Sequence, residues 1–204
     1  MQKATIPVIE TGAGNCHAYV EKSADLKKAV DIIVNGKVSR PSVCNALESL
    51  LIDKEVAEKY IVPILSELER HGVAVRGCPT TKKLFPAAQS LKESDLFAEY
   101  GNLIISVKVV DGIDEAIKHI NKYGTNHSEV IITEDESAAE KFLKRVDSAA
   151  VYVNASTRFT DGCEFGFGAE MGISTQKLHA RGPMGLAELT SYKYMIFGNG
   201  QIRE

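Results

Sequence analysis

From residue 17 to residue 154 the chain alternates short apolar, β-branched runs with longer stretches of helical periodicity. Strands separated by helices of about ten or more residues imply β-α-β units, so the fold class expected is α/β, a mainly parallel sheet flanked by helices. The periodicity is plainest after Ser23, where Leu26, Ala29, Val30, Ile33 and Val34 make one continuous stripe. Ser23 is the expected N-cap, with Asp25 in the first turn, and Gly36 stands where a left-handed C-cap would end the helix.

Strands are expected over 6–10, 17–20, 46–52, 73–76, 103–110, 129–133 and 149–154, with a glycine turn at 11–15. Asp53 should cap a helix that Pro63 kinks or divides and Gly72 closes. Asp111 should cap a helix running to Tyr123 and ended by Gly124. Thr133 with Glu136 forms a capping box for a helix ending near Val146. Residues 80–99 read as short helices and loop. The organisation changes at 154/155: residues 155–186 are rich in Gly, Thr, Ser and Arg, and a strand-like run follows at 192–197. A loop of that length in a compact domain is usually functional or an arm onto a partner.

With 204 residues and a formal net charge of -3, the chain has enough length for a core and no electrostatic reason to bind nucleic acid. Its start lacks the apolar segment of a secretion signal, and no run approaches the roughly 20 residues that span a bilayer. The four cysteines, at 16, 44, 78 and 163, form no C-x-x-C pair, which with the absence of an H-x-x-x-H pair leaves little support for a metal site. A reducing, cytoplasmic setting is expected, with most cysteines acting as small buried hydrophobes.

Cys44 is the exception worth weighing. It follows a Gly- and Pro-punctuated loop, 36–45, that carries Lys37 and Arg40, and nearby positive charge lowers a thiol's pKa toward the reactive thiolate. A buried structural cysteine is the competing reading. The segment 154–162 follows the carboxyl end of an expected parallel strand, where open α/β sheets bind ligands. Asn154, Ser156, Thr157 and Arg158 there, with Arg181 further on, could hold an anionic group; a solvated loop is the alternative. The glycines of GFGAEMG at 166–172 have the wrong spacing for a dinucleotide fingerprint.

Four stretches taken together, IETGAGNCH (9–17), RPSVCN (40–45), VYVNASTRFTDG (151–162) and STQKLHARGP (174–183), resemble the gamma-glutamyl phosphate reductases. These glutamate-5-semialdehyde dehydrogenases belong to the aldehyde dehydrogenase superfamily, and the resemblance runs in order along nearly the whole chain. It implies that Cys44 attacks the acyl phosphate of L-glutamyl 5-phosphate, expels phosphate and forms a thioester. Reduction by NADPH then gives glutamate 5-semialdehyde in proline biosynthesis. Glu99 resembles the superfamily glutamate that bonds the nicotinamide ribose. Glu10 stands where the superfamily often has a general base, a role that reducing an acyl phosphate does not need. Arg40, Arg158 and Arg181 are candidates for substrate phosphate and carboxylate.

By this resemblance, 1–154 is an aldehyde dehydrogenase catalytic domain and 155–204 a substrate loop plus oligomerisation tail, so a homo-oligomer and an association with glutamate 5-kinase are expected. The family's amino-terminal NADPH-binding half, about two hundred residues, has no counterpart here. The chain alone should therefore bind NADPH poorly and turn over little substrate. Two other readings stay open: an inert fragment that folds and oligomerises, and a Cys-dependent acyl hydrolase, which needs a histidine bonded to Cys44.

Overall fold

The computed structural model describes residues 3–6, 8–177 and 179–204. A seven-stranded sheet, parallel at every pairing, forms the centre. Its strands are β1 (Cys16–Val20), β2 (Leu47–Asp53), β3 (Ala74–Gly77), β4 (Gln89–Ser90), β5 (Ile104–Val110), β6 (Ser128–Ile132) and β7 (Ala150–Val153), in the spatial order β4-β3-β5-β2-β1-β6-β7. The helices are α1 (Leu26–Val38), α2 (Ala57–Arg70), α3 (Pro79–Leu84), α4 (Gly112–Tyr123) and α5 (Glu136–Arg145).

Two apolar layers sandwich the sheet. On one face Ala29, Ile33, Ile61, Ile64 and Leu65 of α1 and α2 pack on Ala18, Leu50, Ile52, Val107 and Val130. On the other, Ala116, Ile117, Ile120 and Phe142 of α4 and α5 pack on Tyr19, Leu51 and Ile131. Being covered on both faces is why β1, β2 and β6 read as unbroken apolar runs rather than alternating ones. No helix among the described residues is long and apolar enough to cross a membrane.

Several local expectations are corrected. The N-cap of α1 is Asp25, which accepts from Lys28 N at 2.8 Å, while the Ser23 hydroxyl donates to Glu21. Gly36 does not end α1 but lies inside it, buried against β2; a Cβ there would stand 2.6 Å from Leu47 Cδ1. This glycine is set by close packing, not by a turn. Pro63 leaves α2 undivided, because its ring is exposed while Ile61, Ile64, Leu65 and Leu68 on either side are held in the core. Asp135, not Thr133, caps α5, accepting from Ser137 N and Ala138 N; Thr133 Oγ1 donates to Glu21 instead.

At the start of the chain Pro7 lies outside the described residues, residues 8–10 form no strand, and Thr11 makes an isolated antiparallel bridge to Ser174. The expected strand at 192–197 is absent: Tyr192, Tyr194, Met195, Ile196 and Phe197 are exposed and unpaired in any sheet. Among the described residues of 160–204 the chain forms a short antiparallel ribbon, β8 (Gly172–Ser174) with β9 (Gly182–Met184), and a 3-10 turn, Ala187–Leu189.

Candidate active site

Ligand sites in open parallel sheets are expected at the carboxyl ends of strands. Here the candidate residues gather at the opposite edge. Gly14 and Asn15 lead into β1, Cys44 and Asn45 into β2, Glu99 precedes β5, and Thr125 and His127 precede β6. After β7 the chain turns at Asn154, in the left-handed region with φ 52°, and folds back so that Thr157 and Thr160 reach this amino-terminal edge.

Asn45 is the hub of that return. Its Nδ2 donates to Thr160 O at 2.9 Å, its carbonyl accepts from Thr157 Oγ1 at 2.7 Å, and its Oδ1 accepts from the Arg158 guanidinium. Arg158 Nε also donates to Ser39 Oγ at 3.1 Å. The guanidinium is thereby held by the residue that follows Cys44, and its charge lowers the pKa of the Cys44 thiol. Thr160 is held in turn by Ser128 Oγ and Tyr152 OH, each 2.7 Å from its hydroxyl.

Below the cysteine, Gly14 packs against the Cys44 carbonyl so closely that any side chain at 14 would overlap it. The Gly14 N–H donates to Glu99 Oε1 at 2.9 Å, and the buried Cys16 thiol donates to Cys44 O at 3.2 Å. Cys44 itself is partly buried with no disulfide partner.

The electrostatic expectation is reversed. Burial pushes the Cys44 thiol up, the carboxylates of Glu170 and Glu99 push it further, and Arg158 opposes them. Lys37 does not lower it. The last three residues of α1, Gly36 to Val38, carry Lys37 into the core, where Nζ pairs with Glu48 Oε2 at 2.7 Å with both side chains essentially sealed. Arg40 is exposed on the loop. Cys78 is the thiol held below its ordinary value: burial pushes it up, but hydrogen bonds from the Thr81 hydroxyl and from the Val109, Thr81 and Thr80 backbone outweigh that.

Other predicted residues are committed to the scaffold. Asn154 Oδ1 accepts from Thr133 N at 3.0 Å and its Nδ2 donates to Thr133 O at 2.8 Å, so its amide ties β6 to β7 instead of facing outward for an anion. Ser156 Oγ caps the 3-10 turn Thr157–Phe159, and Thr157 is fully buried. Arg181 donates to Asp147 Oδ1 at 3.0 Å, and Lys177 pairs with the same carboxylate. No described histidine bonds Cys44; the buried His127 ring lies 3.7 Å from Cys16 Sγ instead, which removes the support for a Cys/His hydrolase. Among the described residues no group of three His, Cys, Asp or Glu side chains could hold a metal. Asn45 and Glu170 join the site without being expected there. Asn45 was visible only as a polar neighbour of the cysteine, and Glu170 carried no signal, because it arrives from the glycine-rich loop through the fold.

The sequence profile of the aldehyde dehydrogenase family matches residues 87–195, more than half the chain. The chain belongs to the aldehyde dehydrogenase family. Within it, the chain is 60% identical over 204 residues to a gamma-glutamyl phosphate reductase of Caldanaerobacter subterraneus subsp. tengcongensis and 62% identical over 203 residues to one of Lactiplantibacillus plantarum. Each match takes in 100% of this chain and 49% of the relative. The crystal structure of a gamma-glutamyl phosphate reductase from Thermotoga maritima superimposes with a TM-score of 0.95 at 56% identity, again over 100% of this chain and 49% of the other. This aldehyde dehydrogenase family chain thus spans about half the length of the curated relatives it matches.

Proposed function

We propose that the chain is the catalytic portion of an NADPH-dependent reductase that converts L-glutamyl 5-phosphate to L-glutamate 5-semialdehyde through a thioester on Cys44, a step of proline biosynthesis. The observation that carries this reading is the setting of Cys44 at the sheet edge, its carbonyl seated on Gly14 and its thiol within the field of the Arg158 guanidinium that Asn45 and Ser39 hold. The likeness to named reductases along the whole chain supports the substrate.

The Cys44 thiolate attacks the acyl carbon, the C–O bond to phosphate breaks, and phosphate leaves with that electron pair. Covalent catalysis of this kind divides one difficult displacement into two easier ones. Arg158, already oriented by Asn45 and Ser39, faces the negative charge that builds at this step and accompanies the departing phosphate. Arg40, exposed at the head of the loop, and Arg181 are further candidates for the substrate's anionic ends. NADPH, when bound, supplies the hydride. Glu99 fits its ribose end: the side chain is exposed beside Cys44, and a carboxylate whose Oε1 already takes the Gly14 N–H is oriented to accept from hydroxyl groups with its other oxygen. Release of the aldehyde breaks the carbon–sulfur bond and returns the thiolate.

The acylation half-reaction needs no cofactor and tests the proposal on this chain alone. Cys78→Ser protein incubated with acetyl phosphate should gain one acetyl group at Cys44, seen by peptide mass spectrometry, and Cys44→Ser should abolish it. Acylation spread over Cys16 and Cys163, or none at a pH where Cys44 alkylates, overturns the reading. The raised pKa of Cys44 also favours a second reading, in which these 204 residues taken by themselves are inert. A reductase rate from the chain by itself would exclude that.

A further inference from the structure

Asn15 stands between the two residues on which the Cys44 loop rests. Gly14 before it packs on the Cys44 carbonyl and gives its N–H to Glu99, and Cys16 after it donates to the same carbonyl. The Asn15 side chain is fully buried and spans two other segments: Nδ2 donates to Leu96 O and to Tyr123 O, each at 2.9 Å. Its backbone is held as well, the N–H by Thr125 Oγ1 at 2.9 Å and the carbonyl by His17 Nδ1 at 2.9 Å.

The orientation of that amide follows from its neighbours. Both are carbonyl oxygens, so only the NH2 end can face them, and Oδ1 is left buried with no partner among the described residues. A buried acceptor without a bond destabilises the fold, and the two N–H bonds set against it join the segment carrying Glu99 to the one carrying Gly14. Leu96 lies in the 3-10 turn Glu93–Phe97, three residues before Glu99. The other anchors of this segment lead elsewhere. Asp95 pairs with Arg76 of β3, Glu93 accepts from Tyr123 OH of α4 at 2.6 Å, and Gly101 N donates to Glu48 of β2. Among these bonds, that of Asn15 is the one made by the residue next to Gly14.

We infer that Asn15 is a positioning residue that fixes the Glu99 carboxylate against the Cys44 loop, holding the ribose end of the cofactor and the acylated sulfur in one register for hydride transfer. This role rests on the reductase reading, in which Glu99 takes the ribose and Cys44 the acyl group. Reacting atoms must be held about 3–3.5 Å apart, so a loosened Glu99 slows reduction and leaves acyl transfer to Cys44 in place.

The test measures how strongly Glu99 acts on Cys44. Burial, then the carboxylates of Glu170 and Glu99, raise the Cys44 thiol, so Glu99→Gln should lower the pH at which Cys44 alkylates. In Asn15→Ala, which releases the segment, the same Glu99→Gln substitution should move that pH about half as far or less. Peptide mapping of iodoacetamide adducts across a pH series reads both shifts. Arg76→Met, which frees the same segment at Asp95, should leave the Glu99 effect whole. Asn15→Ser keeps one donor, should keep part of the effect, and decides if Asn15→Ala does not fold. No Glu99 effect in the wild-type chain, an undiminished effect in the folded Asn15 variant, or an equal loss in Arg76→Met overturns the role. Acylation of wild-type Cys44 by acetyl phosphate reports separately on the reductase reading: its absence sinks that reading, whereas an undiminished Glu99 effect with acylation intact removes only Asn15.

Discussion

Gly14 lies flat against the Cys44 carbonyl, with no room for a Cβ between the strand that leads into β1 and the loop that leads into β2. The contact is backbone to backbone, so no side-chain rotation can relieve an added methyl group. Gly14→Ala should cost about 1–3 kcal/mol or more as overpacking and displace the cysteine loop. The checks are the urea midpoint and the alkylation rate of Cys44. An unchanged rate with an unchanged midpoint would mean the loop is not seated as described.

The ionisation order of the thiols follows from their neighbours. Iodoacetamide at neutral pH should modify Cys78 more readily per exposed sulfur than Cys44, since hydrogen bonds favour the Cys78 thiolate while burial and two carboxylates disfavour that of Cys44. Glu170→Gln removes a charge that raises Cys44, so its alkylation should begin at lower pH. Arg158→Met removes one that lowers it, so alkylation should need higher pH. Peptide mapping across a pH series gives both shifts, and a common direction for the two variants contradicts the assignment.

Lys37 and Glu48 form a buried pair, and Glu48 Oε1 also accepts from Gly101 N at 3.1 Å, two residues after Glu99. Removing one partner of such a pair leaves a charge without water or counterion. Lys37→Met should therefore destabilise the chain by about 3–5 kcal/mol, and Lys37→Met/Glu48→Gln should recover part of the loss. Denaturant unfolding of the three proteins measures this. A double variant as unstable as the single one argues that Lys37 acts by packing alone.

The β-α-β plan was legible because strands buried on both faces are continuous apolar runs and α1, α4 and α5 carry stripes. The site was only half legible. Cys44 stands out by its loop, but the loop begins three residues later than residue 36: Gly36 carries the signal of a helix end, and only the Leu47 side chain across the core explains a glycine inside α1. That slip placed Lys37 beside the cysteine when it belongs to Glu48. The position of Asn154 after β7 suggests a ligand group, whereas its αL backbone and paired amide make it the turn that sends Thr157 and Arg158 back to the other edge. Such long-range pairings leave no periodic trace in a sequence.

His127 gives the stability of the chain a defined pH dependence. Its ring is sealed, Nδ1 lies 2.9 Å from Ser128 Oγ, and burial lowers its pKa from 6.5 to about 4. Between those values the unfolded chain binds a proton that the folded chain refuses, so the His127 contribution is complete above 6.5 and is lost as the pH falls toward 4. The slope reaches about 1.4 kcal/mol per pH unit. His119 adds the same sign down to about 3, while Glu48 and Glu129, raised by burial, act in the opposite sense. A difference measurement isolates the one ring: the stability gap between the wild-type chain and His127→Gln should narrow as the pH falls from 6.5 to 4. A gap that stays constant across that range would show that the His127 ring takes up its proton in the folded chain.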